Sequence, residues 1–448
     1  MSITWWRYVN VVFAIFLFIL HLLRFAIVVG YVVSNFADPT DYFQYDFGAY
    51  YVAAAVLNSE KPVLYNDQTA SEVAATLNVQ TRHSRYIYPP FFAVMLRPLT
   101  NFPHMSAISI WLVLNFLFFA LVVRQLLLMS SVSFKWPVYI ALLLIVSLVP
   151  SVSANLFVFG QINLFMLWLI LLTHNNSYPL STRRYQVIAG ISLGIAISIK
   201  VYVVALVPYF WLYRSRRVTY VGVATYGLAT LIGYAGAGWS NTIRYYTQVL
   251  PALFGNETLH WVNYSLSATI HRMFTMVSAT YQFFFMPEPV VAHISPLSDD
   301  VGLGDRLVLI TNLLLVGAMM LTLAVDYVLQ RRKKLEGQGL RLSFLITTLL
   351  LAMHWSPVAT HVLLLFPIAI LLFQKGISRR IYEAQLSLLI VTMGLFLIQS
   401  SWLLINLMTN QALPFWILTL VPQGVLLVWV ILCFHIWRLN YPQLVQST

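Results

Sequence analysis

Residues 11–33 read VVFAIFLFILHLLRFAIVVGYVV, an apolar run interrupted only by the basic residues His21 and Arg24. A helix of about 20 apolar residues crosses the hydrocarbon core of a bilayer. Because membrane β-strands are shorter and alternate in polarity, such a run predicts a helix. Five further runs approach or exceed the required length, at residues 105–129, 217–236, 306–330, 382–405 and 414–437. The sequence therefore predicts an all-α polytopic membrane protein.

The composition excludes a soluble globular protein. Hydrophobic residues make up 60% of the 448 residues and charged residues only 9%, whereas soluble domains have about 25% charged residues. The net charge of +12 could indicate nucleic acid, but the basic residues cluster in short stretches between apolar runs, as in membrane proteins. We therefore expect membrane lipids and no nucleic acid as partners, and an uncleaved first span in residues 1–33.

The basic residues also predict the topology. Cytoplasmic loops are enriched in Lys and Arg, so every interval between basic clusters must contain an even number of crossings. Three intervals predict short hairpins that do not all cross the full bilayer: 136–182, turning at 159–163; 184–214, turning at Lys200; and 342–375, turning at Ser356-Pro357. Together with the six long runs this gives about twelve transmembrane helices, with both termini in the cytoplasm.

Two long loops then lie outside, at about 34–104 and 237–305. Eleven of the fourteen acidic residues fall in them. Their helix-like stretches, such as 47–58 and 67–78, suit interfacial helices. The sequence predicts one domain, 1–448, in the plasma (inner) membrane, with its polar residues gathered on the external face.

The first outer loop contains several candidate functional residues. Asp46 precedes a predicted helix, so it either caps that helix or serves as a general base at the membrane surface. Tyr88-Pro89-Pro90, with Arg85 before it and Arg97 after it, is either a rigid re-entry into the membrane or the mouth of a site.

The hairpin turns supply further candidates. Gln161 and Asn163 either satisfy backbone groups at the turn or bind sugar hydroxyls. Lys200 either extends to lipid headgroups or binds a phosphate as a point charge. His354 and His361 suit packing within the membrane, and His361 could instead donate to a phosphate oxygen. Their surroundings lack the ligand spacing of a metal site, so no metal is predicted.

The second outer loop contains Asn263, which either caps a helix or contacts a sugar. Asn256-Glu257-Thr258 and Asn263-Tyr264-Ser265 also fit the N-glycosylation pattern. The sequence has no P-loop, no Gly-rich dinucleotide turn and no soluble nucleotide-sugar domain. A substrate carried by a lipid therefore suits this chain better than a soluble nucleotide.

An ordered set of motifs resembles glycosyltransferase family 87, also called the DUF2029 family, of the GT-C superfamily. The resemblance runs from about residue 40 to 370. The matching stretches are Asp46-Phe47 with Tyr50-Tyr51, Lys61 to Tyr65, Tyr88-Pro89-Pro90-Phe91 with Arg97-Pro98-Leu99, Phe159 to Asn163, Lys200, Asn263 to Leu266, and Ser356-Pro357 with His361.

This resemblance implies an inverting hexosyltransferase that uses a polyprenyl-phosphate sugar, often mannose, without a covalent intermediate. The acceptor would be a glycolipid or glycan on the non-cytoplasmic face. Asp46 would be the catalytic base, and Lys200 and His361, with Arg85 or Arg97, would bind the donor phosphate. The contacts to sugar or acceptor would come from Tyr50, Tyr88, Gln161, Asn163, Asn263 and His354. No cofactor would be required, and a divalent metal would not be obligatory.

A secondary transporter or lipid flippase is the main alternative, because many transporters have twelve helices. Transporters usually contain repeated halves and charges at the membrane midplane. This sequence shows no repeat, and its polar residues cluster at one predicted face. A non-catalytic assembly subunit with a degenerate site is a third possibility.

Overall fold

A computed structural model gives the fold. It describes residues 3–37, 44–79, 85–129, 136–147, 149–253, 265–274, 280–281, 290–291, 301–329, 338–353, 358–373, 378–409 and 420–440. Almost all of these residues are helical. A two-residue antiparallel ribbon, Thr280–Tyr281 with Val290–Val291, is the only strand pairing among them. The predicted all-α class is confirmed.

The chain forms two compact units, Phe25–Phe254 and Met1–Arg24 with Gly255–Thr448. We call them the first and the second unit and describe each by itself. Helix α1 (Ile3–Ala37) contributes residues to both.

The first unit contains twelve further α-helices among its described residues. They are α2 (Tyr45–Val56), α3 (Asp67–Thr76), α4 (Pro90–Leu96), α5 (His104–Met129), α6 (Trp136–Ser147), α7 (Pro150–Ser153), α8 (Asn163–Asn176), α9 (Arg183–Ile199), α10 (Val207–Tyr213), α11 (Arg216–Ala237), α12 (Trp239–Arg244) and α13 (Leu250–Ala252). Arg97–Asn101 and Val201–Leu206 form 3₁₀ helices, and Ala154–Val158 and Tyr245–Val249 form π-helical turns. The predicted helices at 47–58 and 67–78 are confirmed as α2 and α3.

The second unit contains six more α-helices within the described residues. They are α14 (Leu266–Phe274), α15 (Val301–Leu329), α16 (Gln338–Ala352), α17 (Leu365–Leu372), α18 (Arg379–Thr409) and α19 (Leu420–Asn440). A 3₁₀ helix, Val358–Leu364, precedes α17. The apolar core of the second unit centres on Phe344, Val428 and Leu432, all fully buried.

Among the described residues, six helices are long and apolar enough to cross a bilayer. The qualifying segments are 8–34, 104–129, 216–237, 306–328, 381–399 and 420–438. They coincide with the six predicted runs. Large apolar side chains such as Leu228, Leu231, Leu313 and Leu314 are at least 60% exposed, which lipid tails tolerate and water does not.

The hairpin predicted for 136–182 is confirmed by its contacts with α5. Trp111 Nε1 donates to the Gly160 carbonyl at 2.6 Å, and Asn175 Nδ2 donates to Gln125 Oε1 at 2.7 Å. Helices α5 and α8 therefore lie side by side in the same direction. The turn at 159–163 meets the start of α5, whereas the end of α8 meets the end of α5.

The hairpin predicted for 184–214 also returns to its starting point. Gln186 Oε1, in the first turn of α9, accepts from Ser215 Oγ at 2.9 Å and from Arg217 Nη1 at 3.1 Å. Lys200 follows the last residue of α9 in an extended conformation. At 1.5 Å per residue, it lies about 21 Å from Gln186 along the helix. Lys200 therefore lies at the tip of the hairpin, and the arginines lie at its base.

The third predicted hairpin closes within the second unit. A Cβ atom on Gly339, at the start of α16, would lie 2.6 Å from Ile370 Cδ1, near the end of α17. The start of α16 therefore packs against the end of α17, as expected for the two arms of a hairpin. The predicted turn at Ser356-Pro357 lies outside the described residues.

Candidate active site

The start of α2 is docked on the 159–163 turn through its backbone. The amides of Gln44, Asp46 and Phe47 donate to the carbonyls of Val158 and Phe159 at 2.9, 3.0 and 3.2 Å. The first amides of a helix have no partner within the helix, and here the turn supplies those partners. This docking fixes the position of Asp46 relative to the turn.

Gly160 makes this close docking possible. Its φ of 64° lies in the left-handed region that glycine tolerates. A Cβ atom there would lie 2.1 Å from Gln44 Oε1 and 3.0 Å from Phe47 Cβ. The turn therefore needs glycine both for its backbone conformation and for the approach of α2.

Asp46 is not an N-cap, so that alternative is wrong. Helix α2 begins at Tyr45, and the residue flanking it is Gln44, whose φ is 53°. Asp46 therefore lies within the first turn, where a negative charge interacts favourably with the helix dipole. Its side chain is half-buried, and its Oδ2 accepts a hydrogen bond from Gln161 Nε2 at 2.5 Å.

A chain of three hydrogen bonds connects Asp46 to Lys200. Gln161 Oε1 accepts from Asn163 Nδ2 at 2.9 Å, and Asn163 Oδ1 accepts from Lys200 Nζ at 2.6 Å. An ammonium group only donates and a carboxylate only accepts, so the two ends determine the orientation of both amides. We call Asp46, Gln161, Asn163 and Lys200 the relay. The alternative that these amides merely satisfy backbone groups is wrong, because both bond to a charged side chain.

Tyrosines surround the cationic end of the relay. The Tyr50 and Tyr88 hydroxyls lie 2.9 Å apart. The Lys200 ammonium lies 5.4 Å from the centre of the Tyr88 ring and 5.8 Å from that of Tyr202, within the range of cation–π attraction. Burial, and next the neighbouring Tyr88, raise the pKa of Tyr50 well above its ordinary value, so this hydroxyl stays protonated.

Tyr202 was not among the sequence candidates. The signal that could have indicated it is its place two residues after Lys200, since an aromatic ring close to a desolvated ammonium can stabilise that charge.

Lys200 lies between α9 and the 3₁₀ helix that follows, outside the six long apolar segments. Removal from water lowers the pKa of Lys200 to about 8, and the charge of Asp46 opposes this effect. The ammonium is therefore protonated at neutral pH and less strongly hydrated than a surface lysine. Such a group can attract an anion.

The two candidate arginines lie apart from the relay among the described contacts. Arg85 forms an ion pair with Asp67 at 3.3 Å, and both side chains are more than half exposed. Arg97 Nε donates to Asn58 Oδ1 at 2.9 Å, beyond the C-terminal end of α2. Binding of a phosphate by either arginine stays a prediction.

The remaining candidates belong to the second unit or lie outside the described residues. His361 is 2% exposed in the 3₁₀ helix, with its ring 5.8 Å from that of Phe396. His354 and Asn263 lie outside the described residues. At the start of α14, Ser265 Oγ accepts from the Ala268 amide at 3.0 Å, which is the hydrogen bond of a helix cap. In the part of the chain that the structure describes, no three His, Cys, Asp or Glu side chains converge as metal ligands.

Fold and site together define an integral membrane protein with a partly buried relay between opposite charges in its first unit. The chain belongs to glycosyltransferase family 87, whose family profile matches residues 86–357, more than half of the sequence. The matched range includes Tyr88, Gln161, Asn163 and Lys200. Asp46 precedes it.

A characterised relative is the polyprenol-phosphate-mannose-dependent alpha-(1-2)-phosphatidylinositol mannoside mannosyltransferase of Mycobacterium tuberculosis. The two proteins are 25% identical over 240 residues, which cover 50% of this chain and 52% of the relative. The chain thus spans about half the length of that relative. No solved structure matches the chain significantly.

Proposed function

We propose that this protein transfers a sugar, most simply mannose, from a polyprenyl-phosphate donor to a hydroxyl of a glycolipid or glycan acceptor, with inversion and on the non-cytoplasmic face. Membership of the family supports glycosyl transfer. The polyprenol-phosphate-mannose dependence of the relative supports the donor. The observation that carries the proposal is the relay, which holds a carboxylate and an ammonium in one site.

Asp46 is the base in this mechanism. The acceptor oxygen attacks the anomeric carbon while the bond from that carbon to the phosphate oxygen breaks. Asp46 takes the acceptor proton as the new bond forms, so no covalent enzyme intermediate is needed. The half-buried position of Asp46 in the first turn of α2 suits this role, because a base must be reachable and also held in place.

Lys200 assists the leaving group. The donor is a phosphodiester with one negative charge, and polyprenyl phosphate departs with an additional negative charge on the freed oxygen. A preorganised cation stabilises charge that develops in the transition state. Two amide side chains separate Lys200 from Asp46, so the base and the cation do not neutralise each other in a direct ion pair.

The charge distribution of the first unit supports the external face. Arg183, Arg214 and Arg217 lie at the base of the hairpin 184–214, and Lys200 lies at its tip. Basic loops favour the cytoplasm, so this distribution supports a relay on the non-cytoplasmic side.

Thiol labelling tests this orientation. In a Cys433→Ser background, a membrane-impermeant thiol reagent applied to intact cells should label Glu72→Cys in α3. It should not label Leu180→Cys, whose position is 88% exposed at the basic end. Labelling of the second variant alone would reverse the topology.

Transfer itself is tested with purified protein, labelled polyprenyl-phosphate mannose and a glycolipid acceptor in detergent. The wild-type protein should form a glycosidic bond, which a transporter or flippase does not. Asp46→Asn should lower the turnover about 10²- to 10⁴-fold without loss of donor binding. Glu72→Gln removes an exposed carboxylate of the same outer segment and should transfer normally. Near-normal turnover of Asp46→Asn would remove Asp46 from the mechanism.

A further inference from the structure

The Tyr202 hydroxyl is a buried polar group beside the relay. Within the described residues this oxygen has no hydrogen-bond partner, and it is shielded from solvent. Its ring lies 5.8 Å from the Lys200 ammonium. Native structures contain few such groups, and leaving one unsatisfied costs free energy. Because this hydroxyl lies beside Lys200, the cation proposed to bind the donor phosphate, a bound ligand is a candidate for the missing partner.

The neighbouring tyrosines show that this is an exception. The Tyr65 hydroxyl donates to the Tyr88 carbonyl at 2.8 Å, and the Tyr86 hydroxyl donates to the Pro89 carbonyl at 2.9 Å. Tyr50 and Tyr88 bond to each other. The hydroxyls of these four tyrosines thus have partners within the protein, whereas that of Tyr202 has none among the described residues.

We propose that Tyr202 Oη donates a hydrogen bond to a phosphate oxygen of the lipid-linked donor, beside the ammonium of Lys200; this inference rests on the proposed function. A phosphodiester offers two charged oxygens, so one can face Lys200 and the other Tyr202. Lysine supplies a point charge without a fixed direction, and the hydroxyl adds direction. Burial raises the pKa of Tyr202, so the hydroxyl keeps its proton and can donate.

Tyr202→Phe tests the proposal because it removes the oxygen and keeps the ring beside Lys200. We expect binding of polyprenyl phosphate and of polyprenyl-phosphate mannose to weaken equally, by about 10- to 100-fold, as for a lost hydrogen bond to a charged group. The melting temperature without ligand should stay the same or rise, because no partner loses a bond. A purely structural hydroxyl would give the opposite stability result.

Thr219→Val is the matched control. Thr219 Oγ1 is also buried without a partner among the described residues. It lies in the first turn of α11, next to Arg217 at the base of the hairpin. This variant should leave binding of both lipids unchanged and should likewise not lower the melting temperature.

Several results would overturn the inference. Unchanged binding of both lipids by Tyr202→Phe would show that the hydroxyl contacts neither, and weakening only for the mannosylated lipid would assign it to the sugar. A lower melting temperature would reveal a partner within the protein, and preferential binding of inorganic phosphate would show that the site serves a free anion.

If wild-type protein transfers and Tyr202→Phe binds normally, only this inference fails. If wild-type protein binds polyprenyl phosphate yet forms no glycosidic bond, the proposed function fails.

Discussion

Gln161 Nε2 donates a 2.5 Å hydrogen bond to Asp46 Oδ2, although 115 positions separate the two residues in the chain. The bond forms where the first turn of α2 docks on the 159–163 turn. Asn163 holds the other end of the Gln161 amide. The amide therefore presents its N–H group to the carboxylate in one defined orientation, so the proposed base is oriented by the turn of a distant hairpin.

Gln161→Glu should shift the acidic limb of the pH–rate profile upward. The variant has almost the same shape but places a second carboxylate against Asp46. Two adjacent carboxylates do not both ionise readily, so the pair retains a proton to higher pH. We expect the limb of kcat to move up by about one pH unit or more. The measurement is transfer by purified protein from pH 4 to 8.

The control for this prediction is Gln68→Glu, which adds a carboxylate on the exposed surface of α3. Its pH profile should match that of the wild-type protein. An unshifted limb in Gln161→Glu would show that Asp46 does not set the pH dependence of the reaction.

Donor capture should weaken as the pH rises through about 8. The pKa of Lys200 is lowered to about 8, so the free protein loses this cation above that pH, while the phosphodiester keeps its charge. The limb should appear in kcat/KM for the donor, which reports on the free enzyme. Lys200→Arg keeps a positive charge at all accessible pH values, so it should abolish this limb even if its activity is lower.

The lowered pKa of Lys200 also predicts that the stability of the folded protein increases as the pH rises, whereas donor binding weakens. A lysine with a pKa of about 8 in the folded state and 10.5 in the unfolded state releases its proton on folding between these values. Stability from this group therefore rises with pH in that window. Thermal unfolding of wild-type protein and Lys200→Met at pH 7.5 and 9.5 measures it, and a rise of the same size in both proteins would contradict the assignment.

The helical membrane fold was predictable because it depends on where apolar and basic residues lie along the sequence. The six long runs reflect the free energy of transfer into lipid, and the basic clusters predict which helix ends face the cytoplasm. Combining them placed the turns at 159–163 and at Lys200 within the hairpins that the contacts confirm. Neither inference required knowledge of which side chains touch.

The connections within the site were not predictable from the sequence. Asp46, Gln161, Asn163 and Lys200 were each candidates, but a single hydrogen bond of the relay joins residues 115 positions apart. It depends on backbone docking at Gly160. Tyr202 is one of 25 tyrosines, and only its place beside Lys200 in the fold distinguishes it. Helix α2 begins at Tyr45, two residues earlier than the predicted start at 47. Asp46 therefore lies inside the helix and not in the capping position before it.

Gly160→Ala should destabilise the first unit and impair transfer. A side chain there meets Gln44 Oε1 at 2.1 Å and requires a left-handed backbone, so α2 must move away from the turn. The expected loss of stability is about 1–3 kcal/mol, measured by thermal unfolding in detergent. Gly227→Ala in α11, where nothing lies within 4 Å, should lose no stability and retain activity. Equal melting temperatures for the two variants would contradict the close docking at Gly160.

Removing one partner of the buried ion pair in the second unit should destabilise the protein much more than removing both partners. Arg341 Nε and Nη2 donate to Asp326 Oδ2 and Oδ1 at 2.5 and 3.0 Å, and neither side chain is exposed. Asp326→Asn leaves a buried cation without its carboxylate, so we expect a loss of about 3–5 kcal/mol. The double variant Asp326→Leu with Arg341→Met removes both charges and should recover most of that loss.

The exposed pair Arg85–Asp67, with side chains 52% and 62% exposed, provides the comparison for this prediction. Asp67→Asn should cost only about 0–1 kcal/mol, because water screens a surface pair. Thermal unfolding of all three variants in the same detergent measures the difference. If the double variant is no more stable than Asp326→Asn, removing the unpaired cation has brought no gain in stability. The ion pair would then stabilise the fold by more than the mutual neutralisation of its two charges.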